Sequence, residues 1–505
     1  MLSKITSFGL LGLVGFSVVV EADISLGMPA YETVGLPGAA VRESKERVRA
    51  AIKNSGFSYP QQRITINLAP ADLKKQGPIY DLAIALGLLC ASGQADLPDE
   101  KSVFLGELSL DGQLRPIAGA LPMAISAREA GFSKLFIPPE NAGETAYLQG
   151  LAIYPVERLS DLVAHLGGIR PIQPYPMLSY SPDNKALYPG DMSYIRGQQQ
   201  ARRALEIAAA GSHNLLFIGP PGSGKTMLAR ALPGILPDLC FDEALEISKI
   251  QSVCGLSSGG IAKVRPFRSP HHTLSTAALT GGGHYVMPGE ISLAHGGVLF
   301  LDELAEFKRE ALEALRQPLE DRQISIARAN AKVTYPANVM LIASMNPCPC
   351  GNYGSDKPCR CSPREIRQYL SRISGPLLDR IDMHVGMDAV TYGELADEKP
   401  AERSREVRSR VNRARQMQHE RYAGTGVYGN ASLSGQQLEM HCVLSAPCRK
   451  LMESAYTAFG LSPRGRARVL KVARTIADLA GAEKIEEKHL AEALQYRAPD
   501  ERYWG

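Results

Sequence analysis

The sequence predicts an α/β protein centred on a doubly wound parallel sheet, with a smaller α+β domain before it and a helical lid after it. Three observations carry this. The apolar run HNLLFIG (213–219) passes through the glycine-rich GPPGSGKT (219–226) into the helical MLARAL. A second run, GGVLFLDE (296–303), sets four apolar residues in a row before two acids, as in a strand buried on both faces. Strand-like and helix-like segments alternate from about 191 to 393, and beyond about 394 the pattern is helical only.

A chain of 505 residues is too long for one core. The expected division is 1–168, a linker at 169–190, a core at 191–393 and a lid at 394–505. Within 1–168, β-rich runs (VGFSVVVEADI, RITINLAP, KSVFLGELSLDG, KLFIPP) mix with helical ones (AVRESKERVRAAIKNSG, YDLAIALGLLCASG). The Pro-, Tyr- and Ser-rich IRPIQPYPMLSYSPDNKALYPGD has no usable period and reads as extended. No internal repeat is visible.

Apolar content of 45% and charged content of 21% are those of an ordinary soluble protein. A net charge of +4 is small, so any nucleic-acid contact must come from local basic loops and not from the bulk field. Nine cysteines, four of them between 348 and 361, suit metal binding or free thiols in a reducing compartment better than a disulfide framework. Lys4 followed by LLGLVGFSVVV imitates a signal peptide, but the stretch is Gly-interrupted and lacks a small-residue cleavage site. Two strands joined at a glycine explain it better, and the chain reads as cytoplasmic, with no membrane partner.

The residues of GPPGSGKT predict a polyphosphate grip. In the loop Gly219, Pro220, Pro221, Gly222, Ser223 and Gly224, the glycines let the backbone wrap a polyphosphate so that its N–H groups face the negative charge, with Met227 on the helix that follows. Lys225 would reach the β- and γ-phosphates and Thr226 would hold Mg²⁺. Asp302 would hold Mg²⁺ through water, and Glu303 would orient and deprotonate the attacking water. Asn346 ends a third apolar strand, NVMLIASMNP, where it can position that water. ATP and Mg²⁺ are the expected cofactors.

Just beyond it, Cys348, Cys350, Cys359 and Cys361 spell CPCGNYGSDKPCRC. Four thiolates in two close pairs can wrap one tetrahedral Zn²⁺, although one-residue spacing is tighter than usual; four free or redox-active thiols are the alternative. QISIARANAKVTYPA (323–337) alternates as a hairpin does, with Arg328 and Lys332 near its tip. These cations either track a phosphodiester backbone or are simply solvated. Arg265, Arg268, His271 and His272 precede a Gly-rich turn and are a second candidate contact. In ERSREVRSRVNRARQMQHERY (402–422), Val407, Val411, Ala414 and Met417 make a narrow apolar stripe amid arginines, read as a solvated helix of the lid.

The strings RSPHHTLSTAALTGGGHYVMPGEISLAHGGVLFLDELAEF, LRQPLEDRQISIARANAKVTYPANVMLIASMNPCPCG and LSRISGPLLDRIDMHV resemble the ComM/YifB proteins of the magnesium-chelatase-like branch of the AAA+ family. The resemblance extends over almost the whole chain. It implies that Arg380, in LLDRID, is an arginine finger reaching a neighbouring subunit's γ-phosphate, a role Arg372 could share. It implies that Arg464, in LSPRGR, is the sensor arginine of the lid, with Arg466 two residues away; whether Arg464 serves its own subunit or a neighbour stays open. Ile195 and Gly197, in YIRGQ, match the segment against adenine. The resemblance also implies a ring, usually a hexamer, with the hairpin pointing into its pore.

Residues 1 to about 168 resemble the Lon-protease-like domain, through GELSLDGQLRPIAGALPMAISAREAGFSKLFIPPENA. A Ser/Lys dyad needs a hydroxyl nucleophile beside a desolvated amine. Ile79 and Leu121 stand at the matching positions, and neither moves a proton. The implied function is an ATP-driven ring motor on forked or branched DNA, a branch-migration helicase in recombination of transforming DNA. A metal-insertion ATPase and an ATP-dependent protease are the alternatives; the cysteine loop and the front domain weigh against the first, the missing dyad against the second.

Overall fold

The amino-terminal apolar run folds as two antiparallel strands, Leu2–Leu11 and Val14–Ser25, turning at Gly12 with φ 64°. That left-handed turn needs the glycine, and alternate residues of both strands are buried. The computed structural model describes residues 1–182, 188, 190–283, 286–328, 331–391, 393 and 401–497. They form two compact units, 1–181 with 241–263 and 182–240 with 264–505.

In the first unit the strand order is Leu2–Leu11, Val14–Ser25, Arg63–Ala69, Ala30–Val34, with the last pair parallel. Asp81–Ala91, a helix buried along its whole length, packs on this sheet. A second, parallel sheet joins Ser102–Phe104, Lys134–Ile137 and Ala152–Pro155. Phe104, Phe136 and Tyr154 stack across its three strands with centroids 4.8 Å apart. Ile79 and Leu121 are both buried.

The helix Phe241–Val253, which the chain order sets inside the middle region, clusters with this first unit. Its Ser252 carbonyl accepts the Gly119 N–H at 2.8 Å and its hydroxyl the Leu121 N–H at 3.3 Å. Those N–H groups open the helix Ala120–Glu129, which has no side-chain cap of its own. An orphaned helix start thus finds its acceptors on a distant segment.

The second unit holds a five-stranded sheet ordered Phe267–Arg268, Val298–Leu301, Met340–Met345, Leu215–Ile218, Met383–Gly386, every pair parallel. Its faces alternate residue by residue. Leu215, Phe217, Val298, Phe300 and Ile342 enter one core; Leu216, Ile218, Leu299, Leu301 and Leu341 enter the other. The helices Ser404–Arg421, Gly435–His441, Ala446–Ala458, Pro463–Leu479 and Glu487–Gln495 follow and share the first of these cores. Among the described residues no strand comes after Met383–Gly386, and no helix is long and apolar enough to cross a membrane.

The Arg-rich helix differs from its expected face. Val407, Val411 and Ala414 are buried, but Gln418 takes the fourth inward place and Met417 is only half-buried. Several of its arginines are tied down: Arg408 to Asp238, Arg410 to Glu206 and Glu402, and Arg421 to Asp478 at 2.7 Å. Those three arginines are therefore not free solvated charges, while Arg405 and Arg413 on the same helix are exposed.

Candidate functional site

The strand Leu215–Ile218 ends in the glycine-rich loop, which runs into the helix Lys225–Ala231. Gly222 and Gly224 have φ of 83° and 91°, a region that a side chain would strain. Gly219 is needed for a different reason: a Cβ there would stand 2.4 Å from the Met387 carbonyl oxygen. Ser223 is fully buried beneath the turn.

Lys225, Thr226, Asp302, Glu303 and Asn346 meet in one cleft of about 340 Å³, walled also by Pro221, Gly222, Gly224, Met227, Ser344 and Met345. The parallel register makes this happen, because the three central strands end side by side at their carboxyl ends. Lys225 Nζ donates to the Gly219 and Pro220 carbonyls at 2.7 and 2.9 Å and to Asn346 Oδ1 at 3.2 Å. Burial pulls its pKa down to about 8, while Asp302 and Glu303 push it back up.

Thr226 Oγ1 donates to Asp302 Oδ2 at 2.9 Å, so a hydroxyl and a carboxylate stand ready for one hard cation. Asp302 also accepts from the Ser344 hydroxyl and, at 3.1 Å, from the Glu303 N–H. Ser344 is a site residue that the motifs did not flag; its place on the neighbouring strand, two residues before Asn346, is the signal that could have found it. Glu303 has φ 54°, which costs a non-glycine residue about 1–2 kcal/mol and turns its half-exposed carboxylate into the cleft. His272 Nδ1 lies 3.7 Å from Glu303 Oε2.

Ile195 and Gly197 are outside that lining but at the same end of the sheet. Gln198, beside Gly197, donates to the Asp388 carbonyl at 2.7 Å, and Met387 N–H donates to the Ile218 carbonyl. Arg380 and Arg464 are elsewhere. Leu215 pairs with Met383 and Ile218 with Gly386, so Arg380 precedes its strand at the end opposite the phosphate loop. There its guanidinium bonds Glu320 and the Pro376 carbonyl, and Arg464 bonds the same Glu320 at 3.0 Å. Arg372 instead pairs with Glu306 at 3.1 Å, and Arg466 is exposed.

The strands Gln323–Arg328 and Ala331–Pro336 pair as a hairpin, with Ala327 opposite Lys332. Lys332 is exposed, whereas the Arg328 side chain lies outside the described residues. The second basic candidate is otherwise engaged: Arg265 bonds the Pro237 and Gly296 carbonyls, and Arg268 grips Glu290 twice at 2.7 Å. The His271 and His272 rings lie 4.1 Å apart, tilted by 34°, and gather no third ligand into a metal group among the described residues.

The sulfurs of Cys348, Cys350, Cys359 and Cys361 all lie within 4.8 Å of one another, three of the separations being 3.4, 3.7 and 3.6 Å. Four thiolates on a tetrahedral zinc at about 2.3 Å stand about 3.8 Å apart, so the donor set fits that ion. Backbone N–H groups of Arg360 and Asn352 draw the Cys350 thiol down to about 6.

The family described as magnesium chelatase, subunit ChlI, matches residues 191–395, its C-terminal family matches 401–497, and subunit ChlI of Mg-chelatase matches 20–141. The chain is 45% identical over 490 residues to competence protein ComM of Haemophilus influenzae, covering 95% of this chain and 94% of that one. It is 44% identical over 504 residues to the YifB protein of Escherichia coli, covering 99% and 97%. A Lon protease of Mycolicibacterium smegmatis is 28% identical over 171 residues, covering 32% of this chain and 22% of the protease.

Proposed function

The chain belongs to the ComM/YifB family, with a magnesium-chelatase-like AAA+ core that hydrolyses ATP, and from that premise we propose a ring motor that moves branched DNA. The observation that carries the ring is the division of the catalytic set. Lys225, Thr226, Asp302, Glu303 and Asn346 share one cleft, while Arg380 and Arg464 share Glu320 at the other end of the sheet. A neighbour's arginines must complete each cleft, and both arginines then act on the neighbour.

In the cleft, Lys225 and the loop N–H groups take the β- and γ-phosphates, and Thr226 with Asp302 holds Mg²⁺. Glu303 accepts the proton of the attacking water, which Asn346 orients. The neighbour's Arg380 and Arg464 offset the charge that spreads over the γ-phosphoryl oxygens in the transition state. Ile195 and Gly197 lie against the base. Head-to-tail boundaries of this kind close into a ring, which we take, from the family resemblance, to be a homo-hexamer.

The DNA reading rests on the competence name of one relative and on the exposed hairpin cation Lys332. A ring of such hairpins would follow a phosphodiester backbone without reading sequence. The first unit we read as a Lon-protease-like domain that has lost its chemistry, since buried Ile79 and Leu121 occupy the dyad positions. The helices after residue 401 are its lid, and the four cysteines hold a structural Zn²⁺ that cross-links their loop.

The test is purified protein with ATP and labelled Holliday-junction or forked DNA. DNA-stimulated hydrolysis with strand displacement is expected. Hydrolysis indifferent to DNA, with no strand displaced, refutes the motor.

A further inference from the structure

We propose that the four-cysteine loop is a metal-dependent brace on the phosphate loop, so that zinc occupancy sets the affinity for nucleotide. This rests on the zinc reading above and goes beyond it.

The contact that carries the proposal is at Gly351, which directly follows Cys350. Gly351 has φ 81°, and a Cβ built there would stand 2.5 and 2.7 Å from Cδ and Cγ of Pro221 and 3.9 Å from Cγ of Asn346. The cysteine loop therefore lies flat against the proline of GPPGSGKT and against the residue that accepts from Lys225 at 3.2 Å. Only glycine allows that approach, for the positive φ and for the space.

The loop has no regular structure of its own, although Cys348 lies in the core of the second unit and Tyr353 packs against it. Between Asn346 and Ser362 it contains no helix or strand. Its internal backbone bonds are few, among them Gly351 N–H to the Cys348 carbonyl at 3.0 Å and Ser355 N–H to the Asn352 carbonyl at 3.1 Å. The sulfur cluster is the feature that gathers both ends of the loop, since Cys348 and Cys350 lie at its start and Cys359 and Cys361 at its end. With zinc bound, the loop is a rigid wall behind Pro221. With zinc removed, the wall can drift and the phosphate loop samples conformations that do not grip phosphate.

Because the two sites are coupled through one wall, the coupling is reciprocal: nucleotide must tighten zinc by the factor by which zinc tightens nucleotide.

The experiment uses the full-length protein and a fluorescent ADP analogue, with zinc content measured by atomic emission. Stripping zinc with a chelator, with Mg²⁺ resupplied, is expected to weaken ADP binding about tenfold, and Zn²⁺ to restore it. ADP should make zinc harder to strip by the same factor. Gly351→Ala keeps all four thiols and is expected to retain its zinc while losing a similar share of ADP affinity. Thermal melting and gel filtration confirm that stripped protein and variant remain folded. If no zinc is carried or taken up, the zinc reading falls and the brace with it. If zinc is bound but both its removal and Gly351→Ala leave ADP affinity within about twofold, the brace is wrong and the zinc site stands.

Discussion

Mixing two inactive variants, Glu303→Gln and Arg380→Ala, is expected to restore ATP hydrolysis. The strand Leu215–Ile218 advances about 10 Å over its three steps at about 3.3 Å each, from the pairing with Met383 to the pairing with Gly386. The phosphate loop leaves at the far end of that distance, and Arg380 enters three residues before its beginning. Its guanidinium is committed there to Glu320 and the Pro376 carbonyl. On this geometry Arg380 is expected to serve a neighbour's cleft and not that of its own chain. Losing a finger of this kind costs about 10³-fold or more in rate, so Arg380→Ala alone should be nearly silent. Glu303→Gln alone should bind ATP and not turn it over. In an equal mixture, a boundary is competent when the cleft comes from an Arg380→Ala chain and the finger from a Glu303→Gln chain, about one boundary in four. Steady-state phosphate release should then recover to roughly a quarter of the wild-type rate. A mixture no faster than its components, or an Arg380→Ala protein as active as the wild type, would refute the shared site.

Nucleotide affinity should fall as pH rises above about 8, because Lys225 loses its proton near there and binding phosphate must restore it; equilibrium titration from pH 7 to 9.5 should show proton uptake that Lys225→Ala abolishes. Asp382→Asn is expected to cost about 3 kcal/mol, read by thermal or denaturant melting, because it removes a buried carboxylate that stands 2.5 Å from the half-buried Arg468 and leaves that cation unpaired. Burial alone would raise the Asp382 carboxyl, but Arg468 and His213 hold it well below the usual range. With the folded value depressed, its stabilisation is complete above about pH 4 and is lost progressively as pH drops further. Arg328→Ala with Lys332→Ala should keep basal hydrolysis and lose its stimulation by DNA; normal unwinding by that protein would dismiss the hairpin as the contact.

Much of the site was legible because its chemistry is local. Strand, glycine loop and helix follow one another without interruption, and the left-handed φ of Gly222 and Gly224 is the property that the motif encodes. The acids after VLFL announce themselves by their place at the end of a run too apolar to face water. The hairpin at 323–336 was equally plain, since period-two alternation on both sides of ARANAK leaves few other structures. Less legible were groups that matter only through a partner far along the chain. Glu320 is 60 residues from Arg380 and 144 from Arg464, and nothing in LEDRQ distinguishes it from any surface acid. The same holds for Arg268 and Arg408, which looked free in the sequence and are neutralised by Glu290 and Asp238.

Composition and motif thus settled that a polyphosphate is gripped and that a doubly wound sheet does the gripping, because those properties reside in contiguous residues whose backbone preferences are intrinsic. Folding decided the rest. Parallel register set the cleft at one end of the sheet and the two arginines at the other. Helix-end hydrogen bonding drew Phe241–Val253 into the first unit. Close approach, which depends on where two backbones meet, laid Gly351 against Pro221. Such meetings are long-range and depend on shape, so no window along the chain contains them.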